Sequence, residues 1–100
     1  LVAFAVASNT ARAADILVPE EIGTIQGAIV SAVDGDRVLV EPGTYFENIN
    51  FLGKAITISS TEGPEITFID GGGVDSVVTF NTDEGPESVI KGFTIRNGVF

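Results

Sequence analysis

Short apolar runs alternate with turn-forming residues along most of this chain. Val38-Leu39-Val40-Glu41-Pro42-Gly43, Ala55-Ile56-Thr57-Ile58-Ser59-Ser60 and Gly92-Phe93-Thr94-Ile95-Arg96-Asn97-Gly98 each set a brief β-type run against a turn. Val77-Val78-Thr79-Phe80-Asn81 adds a fourth between the last two. The interval is irregular but stays near twenty residues, where a repeated strand-turn unit reads as a solenoid. Further short strands are expected at 15–19, 45–51, 66–69 and 88–90. Turns separate them at Gly63-Pro64, Asp70-Gly71-Gly72-Gly73 and Asp83-Glu84-Gly85-Pro86.

One segment keeps a different period. Ile25, Ala28, Ile29, Ala32 and Val33 recur at helical spacing, with Thr24 placed to cap the start and Gly35 to stand just past the end. The spacing predicts a helix over 24–33, the only one in the chain. Many short strands also suit a sandwich or a small barrel. Hairpin signals between matched runs are absent except at Asn97-Gly98, however, and a sandwich has no use for a leading helix. In a parallel solenoid that helix covers the first coil, whose strand edges and apolar interior would otherwise face water. The expected fold is all-β: a right-handed parallel β-helix of about three coils with one N-terminal capping α-helix. Val38–Val40, 56–58, 77–80 and 93–95 are expected to stack in parallel.

The first thirteen residues change the picture. Residues 1–7 are apolar and uncharged, and Ala11-Arg12-Ala13 fits a small-x-small cleavage site. Residues 1–13 therefore read as the remnant of a secretory signal peptide, too short to span a bilayer. The expected location is secreted, periplasmic or at the cell surface, in a bacterial host. Residues 14–100 then form the N-terminal part of a β-helix domain. The coil that ends at Val99-Phe100 has no cap of its own, so the domain is expected to continue in a longer protein.

The full chain of 100 residues carries 14 acids against 5 bases, a net charge of −9. Removing Arg12 with the leader makes the balance more acidic, which argues against nucleic acid or anionic membranes as partners. With Cys 0 and His 0, disulfides, thiolate metal sites and the commonest general base are all ruled out. No phosphate loop, dinucleotide fingerprint, nucleophile elbow or zinc spacing occurs.

Several strings resemble a known family. Thr24-Ile25-Gln26-Gly27-Ala28-Ile29, Asp34-Gly35-Asp36-Arg37-Val38-Leu39-Val40 and Pro42-Gly43-Thr44-Tyr45-Phe46-Glu47-Asn48-Ile49 are similar to the N-terminal cap and first coil of parallel β-helix proteins of the pectin-lyase-like superfamily. Lys54-Ala55-Ile56-Thr57-Ile58 resembles the second coil, and Ile69-Asp70-Gly71 and Gly92-Phe93-Thr94-Ile95-Arg96-Asn97-Gly98 resemble later ones. The resemblance covers residues 15–98. It is fairly specific for fold and poorly specific for activity, since the superfamily includes lyases, esterases, epimerases and adhesins. It implies a secreted segment of a polysaccharide-binding or polysaccharide-processing protein. The alternative is a non-catalytic surface repeat protein that displays loops to partners.

Such enzymes place carboxylates, and often a basic residue, on one sheet and its loops. The candidates here are Glu41, Glu47, Asp70 and Asp75, with Arg96 as the base, and the sequence does not pair them. Glu41 lies in a strand-end string common to the fold. Asp70 precedes three glycines and reads as shaping a turn, and Arg96 reads as solvated. Asn48, Asn50, Asn81 and Asn97 read as corner residues, where Asn tolerates a left-handed backbone and bonds nearby peptide groups. Asp34-x-Asp36 lacks the further ligands of a calcium loop. No catalytic, cofactor-binding or metal-ligating set is assigned to the chain. Polysaccharide is the expected partner.

Overall fold

The computed structural model describes residues 14–80 and 85–98. The expected leader, the turn at Asp83-Glu84, the corner at Asn81 and the final Val99-Phe100 lie outside the described residues.

Among the described residues, nine short strands form three sheets in which every pairing is parallel. Sheet A stacks β1 (Asp15–Val18), β2 (Arg37–Val40), β5 (Thr57–Ser60) and β8 (Val89–Lys91) in that order. Sheet B stacks β3 (Gly43–Phe46), β6 (Thr67–Asp70) and β9 (Thr94–Arg96), and sheet C pairs β4 (Ile49–Asn50) with β7 (Val78–Thr79). The chain visits A, B and C in turn and then returns to A one strand further along. That is a β-solenoid of about three turns.

Alternation decides what is inside. Val18, Val38, Val40, Ile58, Ile49, Phe51, Ile56, Ile69 and Val77 point inward and are buried, forming one column through the stacked coils. Each large aliphatic side chain taken from water contributes about 1.5–3 kcal/mol. Several corners are made by residues that bear a left-handed backbone, Gly43 among them at φ 147°. Asn48 Nδ2 donates to the carbonyls of Gly71 and Ser76 in the next coil, at 3.1 and 3.0 Å. This tie between neighbouring coils accounts for the asparagine. Asn97 takes φ 58° at another corner.

Three expectations need correction. The stretch 45–51 is not one strand: it breaks into β3 and β4 at the Glu47-Asn48 corner, because the coil must turn there from sheet B to sheet C. The four runs at 38–40, 56–58, 77–80 and 93–95 do not share one stack. The first two belong to sheet A, Val78–Thr79 to sheet C and Thr94–Arg96 to sheet B. The partner of β5 is β8, with Ile58 opposite Ile90. Alternation marks a strand but is the same on every face of a solenoid, so it cannot say which face a strand joins. Last, the helix α1 covers Ile25–Ser31, with Thr24 as N-cap and Ala32, not a residue near Gly35, as C-cap. Ala32 completes the buried stripe of Ile25, Ala28 and Ile29, while Val33 is 65% exposed.

The first coil holds α1 at both ends. Thr24 Oγ1 accepts the Gly27 N–H at 3.0 Å, but the first turn has no acid and the last turn no base. The coil supplies both. Glu47 Oε2 and Oε1 accept the N–H groups of Ile25 and Gln26, each at 2.9 Å. Lys54 Nζ donates to the carbonyls of Ile29, Val30 and Ala32 at 2.7, 2.8 and 2.6 Å. These are the orphan groups of a helix, met by charges of the sign its dipole favours. The Gln26 amide lies along β4: Oε1 accepts Asn50 N–H at 2.7 Å and Nε2 donates to Asn50 O at 3.1 Å. One side chain thus imitates a neighbouring strand and covers the edge of sheet C.

Candidate functional site

The outward face of sheet B is built from three strands in register. Thr44 stands opposite Phe68, and Phe68 opposite Thr94. In the next row Phe46 stands opposite Asp70, and Asp70 opposite Arg96. Neighbouring strands are about 4.8 Å apart, so each row is a short ladder across the coils. The alternate residues Thr67 and Ile69 face the interior and are fully buried.

Asp70 organises this face. Its Oδ1 accepts the Gly72 N–H at 2.9 Å, and its Oδ2 accepts Arg96 Nε–H at 3.0 Å and Asn97 Nδ2–H at 2.9 Å. The Gly72 bond, followed by the Arg96 and Asn97 contacts, holds the carboxyl below the usual carboxylate range against the opposing effect of burial. The Arg96 guanidinium also lies 4.7 Å from the centre of the Phe68 ring, a cation–π contact. Phe46 has no such cover and is 74% exposed.

The other sequence candidates do not join Asp70. Glu47 is spent on the N-terminus of α1. Asp75 Oδ1 accepts the neighbouring Ser76 N–H at 2.7 Å. Glu41 is exposed, and its backbone carbonyl accepts the Tyr45 hydroxyl at 2.7 Å. Burial raises the Tyr45 phenol above its ordinary value, and the charges of Glu41 and Glu47 raise it further. Among the described residues no group of three acidic side chains gathers as a metal site. The structure therefore brings together one candidate pair, Asp70 and Arg96. A general base must hold a free lone pair near the proton it takes. Asp70 is low in basicity and its oxygens are already engaged, so it suits holding the face in shape.

Sequence reasoning read Asp70 as a turn residue and did not pair it with Arg96. A signal for the pairing was present. Thr67-Phe68-Ile69-Asp70-Gly71 and Phe93-Thr94-Ile95-Arg96-Asn97 are successive coils of one pattern, and laying one over the other sets Asp70 against Arg96. The helix clamps at Glu47 and Lys54 carried no such signal, because they depend on where the first coil passes beneath the helix.

Beside Arg96, an open recess of about 510 Å³ is lined by Val77, Val78, Ile95 and Asn97 among others. It lies where β7 and β9 end their sheets. Ile95 continues the buried row of Ile69 but is 46% exposed there. Among the described residues no helix is long and apolar enough to cross a membrane. No protein-family model matches the chain, and no curated protein or solved structure matches it.

Proposed function

We propose that this chain is a secreted β-solenoid segment of a polysaccharide-binding or polysaccharide-processing protein, and that it binds glycan on the outward face of sheet B. The observation that carries this reading is the in-register face itself. An exposed ring, Phe46, stands at one end of a row that continues through the fixed Asp70–Arg96 pair, beside a row in which the Thr44 and Thr94 hydroxyls flank Phe68 and the Thr94 hydroxyl donates to the Pro64 carbonyl at 2.7 Å. A sugar ring presents an apolar face for the phenyl group and hydroxyls for the polar row. The strand spacing is close to the advance per sugar in an extended glycan, so successive sugars can meet successive coils. The likeness of the cap and coil strings to the pectin-lyase-like superfamily supports the same reading. So does the leader-like segment, which directs the protein to where such polymers occur.

Charge narrows the ligand. The net charge is −9. Of the described bases, Arg37 is held by Asp15 in two contacts, Lys54 by three helix carbonyls and Arg96 by Asp70. Lys91 is exposed, but on sheet A. Sheet B thus offers an anionic polymer no uncommitted cation, and an uncharged glycan is the better fit.

Affinity electrophoresis in soluble β-glucan, galactan and polygalacturonate tests the reading. Retardation in a neutral gel that is lost with Phe46→Ala, at unchanged thermal stability, is the expected result. Equal retardation of both proteins, or none in any gel, would leave the surface-display alternative as the better account.

A further inference from the structure

Ala14 is the first described residue, and its backbone nitrogen donates to Asp36 Oδ1 at 3.0 Å. Asp36 is 6% exposed, and its other oxygen accepts the Val33 N–H at 2.9 Å. A buried carboxylate therefore faces the nitrogen of the residue that follows Ala11-Arg12-Ala13, with an amide as its partner in the uncut chain. Water adds across the Ala13–Ala14 peptide bond when a leader peptidase cuts there. Ala13 leaves as a carboxylate, and the Ala14 amine takes up the proton and becomes an ammonium. We infer that Asp36 is the receptor for the mature N-terminus, so that processing replaces an amide contact by a part-buried ion pair and locks β1 onto β2. This rests on the cleavage reading above and adds to it a partner for the new charge.

The surroundings favour that use. Hydrogen bonds from charged donors are about twice as strong as neutral ones, and removing a buried carboxylate from water is offset only when it is paired. The neighbouring charges are already engaged. Asp15 and Arg37, beside Ala14 and Asp36 in sequence, hold each other at 2.8 Å. Asp34 Oδ1 accepts the Ala55 N–H at 2.9 Å, and Lys54 bonds the helix carbonyls up to Ala32. Asp36 is left to the Ala14 nitrogen and the Val33 amide.

The test compares the chain beginning at Ala14 with the same chain N-acetylated at Ala14, with and without Asp36→Asn. The free amine should melt about 4 °C or more above the acetylated form near neutral pH. An ammonium raised in pKa by its partner gives its full effect below the ordinary α-amino value of about 7.7–8.0. The difference should therefore vanish as pH climbs through the raised value, and it should be absent in the Asp36→Asn pair. Equal melting of the two wild-type forms, or a difference that Asp36→Asn leaves unchanged, would overturn the inference. If Asp36→Asn does not fold, titration of the Ala14 amine by NMR decides instead: a value at or below the ordinary one overturns it. N-terminal sequencing of exported protein tests the cleavage reading separately, with Ala14 expected first and an intact 1–13 contradicting it.

Discussion

Two buried polar side chains show how much depends on a single partner. Thr67 lies fully buried in β6, and its Oγ1 has no hydrogen-bond partner among the described residues. An unmet buried hydroxyl costs about 1–3 kcal/mol, and valine keeps the branched shape that β6 needs. Thr67→Val should therefore raise the melting temperature, and a lower one would mean the hydroxyl has a partner. Asp70 is the opposite case, with both oxygens bonded. Its folded pKa lies below the ordinary carboxyl value of 3.8, so it stabilises the fold fully above that value. The contribution is lost as pH falls through the lowered folded value. Melting followed from neutral to acid pH should show a steeper loss in the native chain than in Asp70→Asn; parallel curves would contradict it. The reading of Asp70 as a turn residue was legible, since a carboxylate before three glycines has the Gly72 amide within reach. Arg96 was read as solvated because its partner lies one coil away.

At the scale of elements, α1 is a short helix whose position comes from the coil beneath it. Its apolar stripe was visible in the sequence, as was the Thr24 cap, because both are local. Its end was expected at Val33, with Gly35 just beyond, and falls at Ser31 with Ala32 as C-cap, because Gly35 looked like the residue that follows an ordinary C-terminus. At the actual end Lys54 gathers the carbonyls of Ile29, Val30 and Ala32 from more than twenty positions away. Lys54→Met keeps the apolar stem and removes the donor, so it should cost about 1–3 kcal/mol. Ile29→Ala opens the contact between helix and coil and should cost about 2–5 kcal/mol. Chemical denaturation measures both, and an unchanged midpoint for either would show that the helix is not holding the coil. Glu47 is the instructive residue here. By type and neighbourhood it was a candidate for chemistry, and its two oxygens turn out to complete the other end of α1.

The whole molecule was legible as a solenoid because strand-turn units recur along the chain and a helix stands before them. What could not be read was how coils lie over one another. The second coil is longer than the first, since Arg37 pairs with Thr57 but Thr57 with Val89. A constant interval therefore assigns strands to the wrong sheets. That stacking creates the outward rows of sheet B, so the candidate face was less legible than the fold. Its most direct test is the backbone pairing. Amide-proton NOEs in a uniformly labelled sample should connect residues one coil apart in parallel register: Val38 with Ile58, Ile58 with Ile90, and Tyr45 with Ile69 and then Ile95. Strong cross-strand α-proton to α-proton NOEs between chain-adjacent strands, the mark of antiparallel pairing, would contradict the solenoid and the face built on it.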